Sequence, residues 1–144
     1  ARDVAKRIKV HKFMSISSTN HKFMPGLKGG KMSSSDETSF IALRDSPEVA
    51  AKKIKKYAFS GGQVTVEEHR KKGGNPDVDV AFQMLRFGME DDDKKLEKIY
   101  KDYKSGKLLS GELKNILIEK MTTFLTEHHK KIKKAEKIVE RFLN

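Results

Sequence analysis

From Ser46 onward the chain carries a helix start or stop every few residues, and between those marks apolar residues recur at helical spacing. Ser46 can cap a helix with Pro47 at its first position, where a missing N–H costs nothing, and Glu48 in the electropositive first turn. Val49, Ala50, Ile54, Tyr57 and Ala58 continue its stripe up to Gly61-Gly62. Thr65 and Glu68 form a capping box for a short helix stopped by Gly73-Gly74. Asn75-Pro76 is expected to restart a buried helix striped by Val78, Ala81, Phe82, Leu85 and Met89 and widened by Val80 and Met84. Asp91, Asp92 and Asp93 suit the positive end of the next helix, which carries Leu96, Ile99, Tyr100 and Tyr103 and ends at Gly106. Ser110 is expected to cap a last helix of about 30 residues, ~45 Å at 1.5 Å each. Its stripe runs through Leu113, Ile116, Leu117, Met121, Phe124, Leu125, Ile132, Ala135, Val139 and Phe142. One apolar stripe must be buried against another, so residues 45–144 are predicted to form a helical bundle.

Residues 1–44 have a different character. Ala1 to Val10 reads as a helix end, with Val4, Ala5 and Ile8 on one face and no cap before them, as expected of a chain cut within a domain. Phe13 to Ser17 and Phe40 to Leu43 read as short strands, separated by a long polar loop from Asn20 to Thr38. Loops of that length between strands are often functional. The whole is therefore mainly α, a bundle attached at Arg44 to the last strands and loop of an α/β domain.

Charge and composition narrow the partners. With 31 Lys+Arg against 20 Asp+Glu the formal charge is +11, which favours a polyanion such as RNA, DNA or an anionic surface. No window approaches the roughly 18 apolar residues of a membrane span, and no apolar signal segment follows the first basic residues, so a soluble, cytoplasmic protein is expected. The absence of cysteine and the scatter of the five histidines offer no metal site. Asp91 to Asp93 are better explained by helix-end electrostatics than by a cation. His69 is expected as a buried or orienting polar residue, and His128-His129 as a surface pair. Phe82, Phe87, Tyr100, Tyr103 and Phe124 follow the stripes and are expected in the core.

The loop segment Gly26-Leu27-Lys28-Gly29-Gly30-Lys31-Met32-Ser33-Ser34-Ser35-Asp36 combines flexible glycines, cations and consecutive hydroxyls, a composition that suits a polyphosphate. It lacks the order and the following helix of a Walker loop. Lys31-Met32-Ser33-Ser34-Ser35 resembles the KMSKS signature of class I aminoacyl-tRNA synthetases, and Met24-Pro25-Gly26-Leu27 its usual approach. Ala58-Phe59-Ser60-Gly61-Gly62, Glu67-Glu68-His69-Arg70, Gly73 to Val80, Glu90 to Asp93 and Leu109 to Lys114 resemble the C-terminal half of tryptophanyl-tRNA synthetases of the eukaryotic and archaeal type. Nearly the whole chain is covered.

That resemblance implies a parent ligase that activates tryptophan with ATP and Mg2+, transfers it to tRNA(Trp), and works as a homodimer. This piece alone lacks the upstream HIGH-type motif and tryptophan pocket, so it is expected to be inactive. It implies that Lys31 neutralises the β- and γ-phosphates, that Ser33 and Ser35 donate hydroxyl or backbone hydrogen bonds, and that Met32 presents backbone near the adenine. Ser34 stands where the name motif has a second lysine, and Lys28 is a candidate substitute. Residues 45–144 would be the anticodon-binding domain, with Lys52, Lys55, Lys56, Gln63, Arg70 and Lys71 as candidate tRNA contacts. Gln63 and Val64 replace the Arg-Asp pair expected there. Lys130, Lys131, Lys133, Lys134 and Lys137 are read as solubilising the last helix. The competing readings are a tyrosyl-tRNA synthetase and a non-catalytic RNA-binding module.

Overall fold

The computed structural model describes residues 2–8, 10, 14, 17–19, 23–139 and 142. It contains helices α1 (Arg2–Arg7), α2 (Pro47–Tyr57), α3 (Val66–Lys72), α4 (Val80–Met84), a π-helical turn (Leu85–Met89), α5 (Asp93–Lys104) and α6 (Ser110–Val139). There is no strand among the described residues. The mainly α expectation therefore holds, and the strand expected at Phe40 to Leu43 does not. Asp45 explains the difference: its carboxylate accepts from Ala42 N–H at 2.9 Å and its own N–H donates to Ala42 O at 2.9 Å, closing a turn where a ladder partner would be needed. The strand expected at Phe13 to Ser17 lies largely outside the described residues.

The spine is α6, against which α2, α4, the π-helical turn and α5 pack. Ala50 and Ile54 from α2, Val80 to Phe82 and Met84 from α4, Leu85, Tyr103 from α5, and Leu113, Leu117, Met121 and Leu125 from α6 make one core. Beyond Leu125 the α6 stripe loses its cover among the described residues, with Ile132 half-buried and Ala135, Val139 and Phe142 exposed. Phe124 is also exposed and stacks on His128 at 5.9 Å, so it is a surface aromatic where the periodicity predicted a core one. Phe82 and Tyr103 are buried as expected, while Phe87 and Tyr100 are half-buried.

Caps account for most helix limits. Ser46 Oγ accepts from Val49 N–H at 3.3 Å and Thr65 Oγ1 from Glu68 N–H at 3.1 Å, both as predicted. Asp92 starts α5 by accepting from Lys94 and Lys95 N–H, and Gly106, at φ 78°, lets the chain turn out of α5. Two starts differ from expectation. α4 begins at Val80 and not at Asn75-Pro76, because Asp79 supplies the cap and Pro76 O is held in a turn by Gln83 Nε2 at 3.0 Å. Ser110 lies inside α6 and does not cap it. The cap position is Leu109, whose N–H donates to Glu112 Oε2 at 2.7 Å, the glutamate half of a capping box.

Packing does not follow the change of composition at Arg44. Leu27, in the middle of the glycine-rich loop, is fully buried in the bundle core, and its carbonyl accepts from Phe59 N–H at 2.7 Å. His129 Nε2 lies 2.9 Å from Leu43 O, a second tie between the upstream segment and α6, so this histidine pins the helix where a surface pair was expected.

Candidate functional site

Burying Leu27 divides the loop into a fixed base and a free tip. At the base, Gly26 N–H donates to Gly30 O at 2.7 Å and Gly29 N–H to Gly26 O at 2.9 Å, a tight turn that Gly29 permits at φ 85°. Leu27 N–H donates to Ser39 O at 2.8 Å, joining the two ends of the loop. Downstream of the tip, Asp36 organises the return: its carboxylate accepts from Lys28 Nζ at 2.8 Å and from both Thr38 N–H at 3.0 Å and Thr38 Oγ1 at 2.5 Å. Lys28's hydrogen bond, with Thr38 adding to it, holds the Asp36 carboxyl down at about 2. Lys28 is thus already paired with Asp36 and is not a free replacement for the lysine that Ser34 displaces.

Between these anchors the tip is open. Lys31, Ser33, Ser34 and Ser35 are exposed and Met32 is half-buried. Lys31 has no carboxylate partner among the described residues, and Ser33 Oγ and Ser35 Oγ lie 2.8 Å apart with each other as hydroxyl partners. An unpaired ammonium beside paired, exchangeable hydroxyls is the donor set a polyphosphate requires, and it fits ATP. No group of three or more carboxylates or histidines that could hold a metal occurs among the described residues. The Ser33 main chain, by contrast, is fully engaged. Its N–H donates to Ser39 Oγ at 3.0 Å and its carbonyl accepts from Asp36 N–H at 3.1 Å. Any bond Ser33 makes outward must come from its hydroxyl, which narrows the sequence expectation of a hydroxyl or backbone donor.

A second polar region lies under the linker Ser60 to Thr65. Buried Asp79 accepts from Ala81 and Phe82 N–H with one oxygen, and from Gly61 N–H at 2.8 Å and Tyr103 Oη at 2.7 Å with the other. Tyr103 Oη is also 2.9 Å from Ser110 Oγ, and burial pushes its phenol well above the ordinary value. Burial lowers the Lys114 ammonium, with the charge of Asp79 opposing that shift. His69 is buried: Nε2 donates to Leu108 O at 2.9 Å, which leaves Nδ1 to accept from Gln63 N–H at 3.4 Å. A Cβ at Gly74 would meet the Tyr103 ring at 2.5 Å, so that glycine is required by close approach. Every buried polar side-chain atom described has a partner. His69 is the orienting residue the sequence suggested, whereas the Asp79–Tyr103–Ser110 hub was not foreseen. Its signal was the aspartate one residue before an apolar run.

The basic candidates are not on one element. Lys52, Lys55 and Lys56 are exposed along one side of α2, which packs on α6. Lys53 departs from them, being largely covered, paired with Asp45 at 2.7 Å and set over the Phe40 ring. Lys71 is exposed on α3. Gln63 and Arg70 hold backbone: Gln63 Nε2 donates to Gly73 O at 3.0 Å, and Arg70 Nη1 donates to Gly106 O at 2.9 Å and to Lys107 O, joining α3 to the turn before α6.

Residues 1–126 match the family model described as tRNA synthetases class I (W and Y). The chain is 53% identical over 143 residues to the tryptophan–tRNA ligase of Sulfurisphaera tokodaii, covering 98% of this chain and 37% of the relative. It is 49% identical over 145 residues to the human cytoplasmic tryptophan–tRNA ligase, covering 99% of this chain and 30% of the relative. The solved tryptophanyl-tRNA synthetase of Aeropyrum pernix superposes with a TM-score of 0.85 at 42% identity, over 97% of this chain and 38% of that one. The chain thus spans about a third of the length of the relatives it matches.

Proposed function

The chain belongs to the class I tRNA synthetases of the W and Y family, and from that premise we propose that it is the C-terminal part of a tryptophan–tRNA ligase. The parent activates tryptophan with MgATP and transfers the aminoacyl group to tRNA(Trp). Relatives named tryptophan–tRNA ligase, at about half identity over almost the entire chain, favour tryptophan over tyrosine. The observation that carries the reading is a loop with a buried base and an exposed tip holding one unpaired ammonium and three hydroxyls.

In activation the tryptophan carboxylate attacks the α-phosphorus and the bond to the bridging oxygen breaks, so negative charge grows on departing pyrophosphate. Lys31 meets that charge at the β- and γ-phosphates, the Ser33 and Ser35 hydroxyls donate to the same oxygens, Ser34 lines the tip, and Met32 lies near the adenine. Such donors, fixed in advance, act mostly on the transition state. Mg2+ bound with the nucleotide would supply further positive charge beside that of Lys31.

Residues 45–144 serve as the anticodon-binding part, docked on the edge of a Rossmann-like catalytic domain. Lys52, Lys55, Lys56 and Lys71 face RNA phosphates, and Gln63 and Arg70 shape the linker and turn beside them. The parent is a cytoplasmic homodimer. The test is ATP–pyrophosphate exchange by the longer protein that includes the upstream half. Exchange dependent on tryptophan is expected, and exchange supported by tyrosine and not tryptophan would overturn the assignment.

A further inference from the structure

A loop tip can be preorganised only if something fixes its main chain, and the tip's own side chains do not. Among the described residues Lys31 has no carboxylate partner, and Ser33 and Ser35 bond only to each other through their hydroxyls. The fixing group comes from below. Ser39 is 4% exposed, and its hydroxyl sits inside the loop, accepting from Ser33 N–H at 3.0 Å while its proton points between Asp36 O at 2.7 Å and Ser33 O at 3.1 Å. The Ser39 main chain is equally placed, its N–H on Asp36 O at 2.9 Å and its carbonyl taking Leu27 N–H at 2.8 Å. One residue therefore links the core-buried base at Leu27 to the middle of the Lys31 to Ser35 tip. A hydroxyl accepts from the Ser33 amide and donates toward the Asp36 and Ser33 carbonyls at once, which a methyl cannot.

We propose that Ser39 is the positioning residue of the nucleotide loop, its buried hydroxyl locking the Ser33 peptide inward so that the Ser33 hydroxyl is turned toward the triphosphate. This rests on the ligase reading above. Ser39 itself touches no substrate and acts through Ser33. Ser39→Ala should leave the Ser33 amide without an acceptor and let the tip sample other conformations.

Two measurements test it. In the 144-residue chain, amide hydrogen exchange should show Ser33 losing protection in Ser39→Ala while Leu117, in the core, keeps its own, and Ser39→Thr, which retains the hydroxyl, should keep Ser33 protected. Unchanged protection of Ser33, or equal loss at Leu117, would overturn the proposal, the second because it would make Ser39 a general folding residue. In the longer protein, Ser39→Ala should lower kcat for tryptophan-dependent exchange by about tenfold with the tryptophan KM unchanged. Combined with Ser33→Ala it should add little to the effect of Ser33→Ala alone, because both act through one hydroxyl. Additive losses would overturn the positioning role. A wild-type longer protein with no tryptophan-dependent exchange would instead sink the ligase reading, a result distinguishable from failure of Ser39 because the Ser33 protection is read without nucleotide.

Discussion

Two regions of this molecule are built from the same materials, glycine pairs, serines and charged side chains, and they end in opposite states. Around Asp79 the polar groups face one another: the carboxylate, the Tyr103 hydroxyl, the Ser110 hydroxyl and the Gly61 amide are closed into one network, with the His69 ring beside Tyr103 bonded to Leu108 O, and no buried side-chain donor described is left over. At the tip of the upstream loop, among the described residues, Lys31 faces no carboxylate and the Ser33 and Ser35 hydroxyls have only each other. A buried polar cluster that satisfies itself specifies a fold. An exposed set with unmet valence is where a ligand can gain free energy by binding. The difference lies in pairing, which composition does not display.

The sharpest way to break that contrast is to open the closed region. Asp79→Ala removes the acceptor of Tyr103 Oη and of the Gly61, Ala81 and Phe82 amides together, so it should destabilise the chain by about 3 kcal/mol or more in urea unfolding. A loss below about 1 kcal/mol would mean that the hub is incidental to the fold. Next in size is the response of RNA binding to salt. Neutral substitution of Lys52, Lys55 and Lys56 together should flatten the log–log salt dependence of binding to labelled tRNA by roughly 0.7 to 0.9 per lysine. Substituting Lys130, Lys131 and Lys134 should leave it nearly unchanged, and the reverse pattern would place the RNA along α6. Smallest is the latch between Lys28 and Asp36. Because the folded carboxyl titrates at about 2, below its ordinary 3.8, the latch is fully formed above pH 4 and opens as the pH falls through about 2. Carboxyl-carbon NMR should find Asp36 near 2 in the wild type and higher in Lys28→Met, though still below its ordinary 3.8 because the Thr38 bonds remain; an ordinary value in the wild type would show the latch open in solution.

What could be read in advance follows the range of the forces involved. The starts of α2 and α3 were legible because Ser46 and Thr65 act on amides three residues away. The tip of the loop was legible as a run of cation and hydroxyls because those residues are consecutive. The start of α4 was misplaced since Asn75-Pro76 carries the usual local signal, while the capping role of Asp79 is reinforced by Gly61 and Tyr103, each separated from it by many residues. Ser110 looked like a cap and instead turns its hydroxyl to Tyr103. The tie of Leu27 into the core and of His129 to Leu43 O likewise depends on tertiary packing that no spacing encodes. Arg70 and Gln63 show the same limit: as a cation and an amide they suggest RNA contacts, and only the fold reveals that both hold backbone carbonyls.

The contrast between a closed hub and an open tip is tested most directly by Lys31→Ala in the longer protein, with activation and stability measured on the same sample. With the proposed role of Lys31 at the departing phosphates, and with no carboxylate partner for it among the described residues, tryptophan-dependent ATP–pyrophosphate exchange should fall about 10²-fold while the urea midpoint and the tryptophan affinity stay where they are. A variant that exchanges normally, or one that loses activity only in proportion to lost stability or tryptophan binding, would contradict the account.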